Sequence, residues 1–378
     1  MKFPLLLLFW SLNFLVFSSR AVISPFLPII EDELVISHGV AGSIFSFLSI
    51  GYTISLFVSG LVSPRIGYKR SILLGFAILT ISFFSLKYAT TYCSLAAVSL
   101  FIGLGAGMYL PSAIPLLTSI FGYGNWGKVI SIHQTGAPFS LFSMPLLAAI
   151  ALSVFQWRTF FLGMSGVCLM ALLSFWAFAP NPDFHKKKEA PLSHLLRRRE
   201  FWIMVIFWIT AAATFMGVYN VIPLFLVKER GMDPGLANTI FGFSRTGGFV
   251  VSVAAGFLVD RYGVKRILFI VFLMIGFFTL GVALVHNFAL LLTMLILQAT
   301  FSPGFFPIGL VTISKLTDLN ERSMFTGATI AIGTLIGAGV APMFLGAVAD
   351  VWNFQIGILM LGALTTLSCL LVKGLGEI

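Results

Sequence analysis

Long apolar runs follow one another along the chain, separated by short breaks at charged residues or at Gly, Pro and Asn clusters. Dividing the chain at those breaks predicts helices near residues 4–30, 39–61, 71–90, 94–117, 128–150 and 158–179, then 201–226, 237–258, 267–285, 289–314, 324–346 and 354–373. Runs of about 20 residues, rising about 1.5 Å per residue, are long enough to cross a hydrocarbon core about 30 Å thick. Lipid satisfies no backbone N–H or C=O, so such runs must be helical. The expected fold class is all-α membrane protein, with 12 transmembrane helices.

Composition supports this pattern. Of 378 residues, 58 % are hydrophobic and only 10 % charged, whereas soluble domains carry about a quarter charged residues. The net charge of +10 does not indicate a nucleic-acid partner, because the basic residues stand in short blocks between apolar spans and not on an exposed amphipathic face. With twelve spans, Lys2, Arg65, Lys69, Arg70, Lys128, the cluster at 186–199, Arg261, Lys265, Arg266, Lys315, Arg322 and Lys373 all fall on one side. That side is read as cytoplasmic, with both termini on it, in a cell (inner) membrane. The opening run is too long for the apolar region of a signal peptide and reads as a first span. Cys93, Cys168 and Cys369 show no metal-ligand spacing. The polar stretch 181–200, with three lysines at 186–188 and three arginines at 197–199, reads as a cytoplasmic linker between a bundle at 1–180 and a second at 201–378.

A shift of 196 residues superposes the halves. Ile44, Phe45 and Phe47 fall on Ile240, Phe241 and Phe243, and Gly51 on Gly247. The loops that follow also match, GLVSPRIGYKR at 60–70 against GFLVDRYGVKR at 256–266, with five identities. Gly60, Arg65, Gly67 and Arg70 of the first copy correspond to Gly256, Arg261, Gly263 and Arg266 of the second, while Pro64 stands where the second copy has Asp260. At these residues the sequence resembles the major facilitator superfamily, whose loops after spans 2 and 8 carry G-x-x-x-D-R-x-G-R/K-R/K. The resemblance covers the whole chain. It implies two pseudo-symmetric six-helix bundles, a secondary transporter, and loops that act as gates. Asp260 is expected to meet the start of span 11 and to pair with Arg261 or Arg322. The first copy, lacking the acid, should latch differently or more weakly. The bland alternative for both loops is a topology-setting turn.

Ionisable groups at membrane depth are costly, so each one is a site hypothesis. All thirteen acids fall in loops or at span ends, which leaves Arg20, Arg245 and His133 as the embedded ionisable groups. Helical rise puts Arg20 about 15 Å and Arg245 about 12 Å from the outer ends of spans 1 and 8. Tyr219, Asn220 and Gln298 fall near that level, with Tyr52 a little deeper. The resemblance implies that the spans carrying them line a central cavity. Two arginines without embedded acids call for an anion, since guanidinium is a planar fork of donors for carboxylate or phosphate. Snorkelling, or pairing with carbonyls where Ser24, Pro25 and Pro28 distort span 1, is the competing account. The arginines also resemble those of organic-anion and monocarboxylate branches, although the sugar-acid pattern's arginine in span 4 is missing. His133 is the candidate for proton coupling; a helix-packing histidine is its alternative.

The sequence therefore reads as a secondary carrier of a small carboxylate-like anion, working by rocker-switch alternating access. Its substrate groups are Arg20, Arg245, Tyr52, Tyr219, Asn220 and Gln298, and protons are a candidate co-substrate. A proton-driven exporter of amphipathic drugs is the rival reading, and the missing embedded acid weighs against it. A membrane enzyme would need a nucleophile or metal cluster at depth, and the sequence offers none. No catalytic residue, cofactor or metal is expected. The partners are the bilayer and the cargo, and the chain is expected to act as a monomer.

Overall fold

The computed structural model describes residues 2–121, 126–180 and 196–376, and among these every regular element is helical. Among the described residues, eleven segments are long and apolar enough to cross a membrane, from Phe3–Leu34 through Phe354–Gly374. The expected eighth crossing consists of helices Pro234–Phe243 and Gly248–Tyr262 joined through a turn at residues 244–247, where Ser244 N still donates to the Ile240 carbonyl at 3.0 Å. Most of the linker, residues 181–195, lies outside the described residues, as does the side chain of Asp260; the surroundings of Gly60 and Gly256 are likewise not described.

Other crossings are interrupted where the sequence frees or denies a backbone donor. Span 1 runs Lys2–Ala21, makes a 3₁₀ turn at Ser24–Phe26 and resumes at Leu27–Leu34, because Pro25 and Pro28 lack the N–H that a continuous helix requires. Span 7 carries π-helical stretches at Ala213–Gly217 and Phe225–Glu229, and span 11 carries one at Thr334–Val340. The last turn of span 1 extends past the expected end, so Glu31, read as lying in a loop or at a span end, is in the helix and buried, 5 % exposed.

By internal contacts the chain forms two compact units. One comprises Met1–Ile36, Phe47–Lys186 and Asp233–Thr239, and the other Ser37–Ser46, Lys187–Met232 and Ile240–Ile378. In the first, Glu33 at the end of span 1 accepts from Trp157 Nε1 and Arg158 Nη1 at the start of span 6. In the second, Glu229 at the end of span 7 accepts from the backbone N–H of Phe354 at the start of span 12. Residues 33 and 229 are 196 apart, so each unit ties its first span to its last through the same repeat position. The second unit also contains an acid cap, in which the Asp350 carboxylate accepts from Ser37 Oγ, His38 N and Gly39 N, each at 2.8 Å.

The two motif loops share one backbone device. Gly67 and Gly263, again 196 apart, have φ of 96° and 82° and join successive spans in a single residue. A side chain there would be strained, so glycine is required. The interiors behind the loops differ. In the first unit Ser59, Ser63, Ser71 and Ser112 are buried and share hydroxyl hydrogen bonds, with Ser63 donating to Ser71 at 2.7 Å and meeting Ser59 at 2.8 Å and Ser112 at 2.9 Å. Ser59 also donates to the Met108 carbonyl at 3.2 Å. The repeat counterparts of Ser63, Ser71 and Ser112 are Val259, Ile267 and Ile308, which sit in the apolar core of the second unit with Phe272 and Phe305.

Candidate functional site

In the first unit Arg20 occupies the last turn of the helix Lys2–Ala21, where the negative end of the helix dipole favours a cation. It is 7 % exposed. Its Cζ lies 4.0 Å from the Tyr52 ring centroid and 5.6 Å from that of Phe17, so the flat face of the guanidinium is covered by aromatic carbon. The Arg20 Nε, the Ser18 hydroxyl and the Thr53 hydroxyl are buried without a hydrogen-bond partner among the described residues.

His133 stands apart from this pair and is joined to other groups. Tyr109 Oη donates to the Phe9 carbonyl at 2.8 Å and meets His133 Nε2 at 2.9 Å. A tyrosine has one hydroxyl proton, so with that proton committed to Phe9 the imidazole must donate from Nε2. Nδ1 is then a bare acceptor, and it is buried with no partner among the described residues. Asn13 Nδ2 donates to the His133 carbonyl at 2.7 Å, and Trp10 Nε1 donates to Thr135 Oγ1 at 2.9 Å. His133 thus has the helix-packing contacts of one reading and the open nitrogen of the other.

In the second unit Arg245 sits in the turn at 244–247 between the two helices of the eighth crossing. It is 4 % exposed, with Cζ 4.9 Å from the Phe241 centroid and 5.0 Å from that of Tyr219. Its Nε, Nη1 and Nη2 are all buried, and none has a hydrogen-bond partner among the described residues. Neither Arg20 nor Arg245 forms an ion pair among the described residues. At Gly247 a Cβ would collide with the Thr300 side chain of span 10, so spans 8 and 10 approach closely there.

Asn220, beside Tyr219 in span 7, is buried. Gln298 of span 10 donates from Nε2 to the Thr214 carbonyl at 2.8 Å, within the first π-helical stretch of span 7. The expected residues therefore group as Arg20 with Tyr52 in one unit, and as Arg245 with Tyr219 in the other. Sequence reading missed Phe241, Tyr109 and Asn13. The signal for Phe241 was present, since it precedes Arg245 by one helical turn.

Around the motif loops Arg65, Arg70, Arg261 and Arg266 are exposed. Lys69 Nζ reaches the Trp176 and Ala179 carbonyls at 2.8 and 2.6 Å and caps the end of span 6. Arg322, an expected partner of Asp260, donates from Nη2 to the Ser314 carbonyl at 2.7 Å at the end of span 10. No group of His, Cys, Asp and Glu able to hold a metal occurs among the described residues.

The family model described as Major Facilitator Superfamily matches residues 9–285 and 235–375. A hexuronate transporter of Bacillus subtilis is 26 % identical over 275 residues, covering 68 % of this chain and 64 % of that protein. The multidrug resistance protein MdtL of Escherichia coli is 26 % identical over 357 residues, covering 90 % of this chain and 88 % of the relative. Among solved structures, a bacterial homolog of the human lysosomal transporter Spinster superposes with a TM-score of 0.84 at 14 % identity, covering 99 % of this chain and 97 % of that one. The eleven apolar spans, the duplicated loop with its paired glycines and the family match lead to one conclusion: the chain belongs to the major facilitator superfamily and is a multi-pass membrane transporter.

Proposed function

We propose that this transporter carries a small organic anion, carboxylate-like in its recognised end, by alternating access of its two bundles. The observation that carries the reading is Arg245. A buried guanidinium whose three nitrogens meet no protein acceptor among the described residues is costly unless an anion completes it. Arg20 has the same aromatic cover and the same lack of a carboxylate, and serves as the second anion-attracting group. The hexuronate relative is named for an anionic cargo, which favours the same class.

The distribution of basic residues favours an inner-membrane orientation with both termini in the cytoplasm. The motif loops serve as gates, with Asp260 as the acid of the second latch. His133 is the proton-coupling group, with Nδ1 as the atom that takes the proton. Anion binding supplies the differential affinity that shifts the carrier between its states.

A second reading, export of amphipathic drugs, is favoured by the likeness to the multidrug resistance protein. It fits less well with a membrane interior whose unmatched charges are positive. Uptake of small organic acids by Arg245→Ala and Arg245→Lys, both correctly inserted, tests the main reading. Loss of transport in both is expected, and normal transport in both removes Arg245 from the site.

A further inference from the structure

We infer that the cargo is a hydroxylated carboxylate, and that Gln298 selects for the hydroxyl. This rests on the anion reading above and names its substrate class more narrowly.

The argument begins with the orientation of one amide. The Thr214 carbonyl can only accept, so the group of Gln298 that meets it at 2.8 Å must be the NH₂. The amide is thereby fixed, and its oxygen faces the other way. Gln298 is 1 % exposed, and Oε1 is buried with no donor among the described residues. A buried amide oxygen without a donor costs free energy that neither the fold nor a bare carboxylate restores, because a carboxylate brings only acceptors. A hydroxyl brings the proton.

The acceptor and the anion fork stand on the same piece of scaffold. Gln298 is tied to Thr214, and Arg245 lies over Tyr219, five residues farther along span 7 and so about 7.5 Å along a helix axis. Thr300, two residues beyond Gln298, packs on Gly247, two residues beyond Arg245. Spans 7, 8 and 10 thus carry, on segments packed against one another, the donors of Arg245 and the acceptor of Gln298. A carboxylate on Arg245 with a hydroxyl farther along its carbon chain satisfies both. A simple fatty acid satisfies only the first.

The test compares matched acids with and without hydroxyls on the purified full-length chain, reading the concentration that gives half-maximal thermal stabilisation. The pairs are gluconate with hexanoate and glycerate with propionate. In the wild type the hydroxylated member of at least one pair is expected to act at a concentration at least about tenfold lower, the worth of one good buried hydrogen bond. Gln298→Met should bring that pair within about threefold of each other by weakening the hydroxylated acid alone. Equal potency within both pairs in the wild type overturns the inference and leaves the anion reading standing, as does a preference unchanged in Gln298→Met. If that variant does not fold, the wild-type comparison decides alone. Stabilisation by none of the four acids counts against the anion reading itself and takes this inference with it.

Discussion

Arg20 and Arg245 are each laid over a tyrosine, yet the exchange of positions between them is informative. In the first unit the arginine comes from the first span and the tyrosine from the second; in the second unit span 7 gives the tyrosine and span 8 the arginine. Each unit has built a guanidinium–aromatic stack between its first two spans, by different residues. The difference lies in the edges of the fork. All three nitrogens of Arg245 are buried and unpartnered, whereas for Arg20 this holds of Nε alone. Arg245 also sits in a helical turn where its backbone N–H donates to the Gly242 carbonyl, while its guanidinium meets no carbonyl among the described residues. An unmet charge in such surroundings is poorly explained by packing and well explained by a missing ligand.

Removing the two arginines in turn gives the largest contrast. Arg245→Ala is expected to lower uptake at least about 100-fold, the loss of two charge-assisted hydrogen bonds, and Arg20→Ala about tenfold. Initial rates at matched membrane levels would measure both, and a larger loss at Arg20 reverses the ranking drawn from burial. An intermediate effect is expected at His133, whose counterpart region in the second unit has no histidine. Glutamine can keep the donor to Tyr109 while removing the titratable nitrogen. His133→Gln should abolish the stimulation of uptake by an acid exterior, about tenfold, and leave counterflow intact. Stimulation that persists in the variant assigns His133 to packing only.

The smallest effects are expected behind the motif loops, where the units differ most plainly in chemistry. Ser63→Val removes three shared hydroxyl contacts, and Val259→Ser places a hydroxyl in an apolar core. Each is expected to cost about 1–2 kcal/mol. Thermal unfolding should fall by a few degrees in each, and an unchanged Ser63→Val would mean that the serine cluster contributes nothing to stability.

Much of this architecture is legible in the residues. The duplicated loop announces the fold because its glycines answer a backbone demand, and Gly67 and Gly263 do take the positive φ that only glycine tolerates cheaply. The embedded arginines are legible because the cost of burying charge makes them conspicuous. The turn in the eighth crossing was not anticipated, since residues 237–258 contain no proline to mark it. At that turn Gly247 lies against the Thr300 side chain, a tertiary contact that no local pattern records. The fixing of Gln298 by Thr214 was hidden for the same reason, because it depends on a π-helical stretch that propensity does not reveal. The end of span 1 was misjudged because three acids in a row at 31–33 look like a loop, although the helix runs on and buries the first of them.

The most direct measurement of the central claim is ligand-induced thermal stabilisation of the purified chain across carboxylates, phosphonates and cationic dyes, in wild type and in Arg245→Lys. The account expects a subset of carboxylates to stabilise the wild type and to lose that effect in Arg245→Lys, because an ammonium cannot reproduce the fork. Stabilisation by cationic dyes alone, unchanged in the variant, would contradict it.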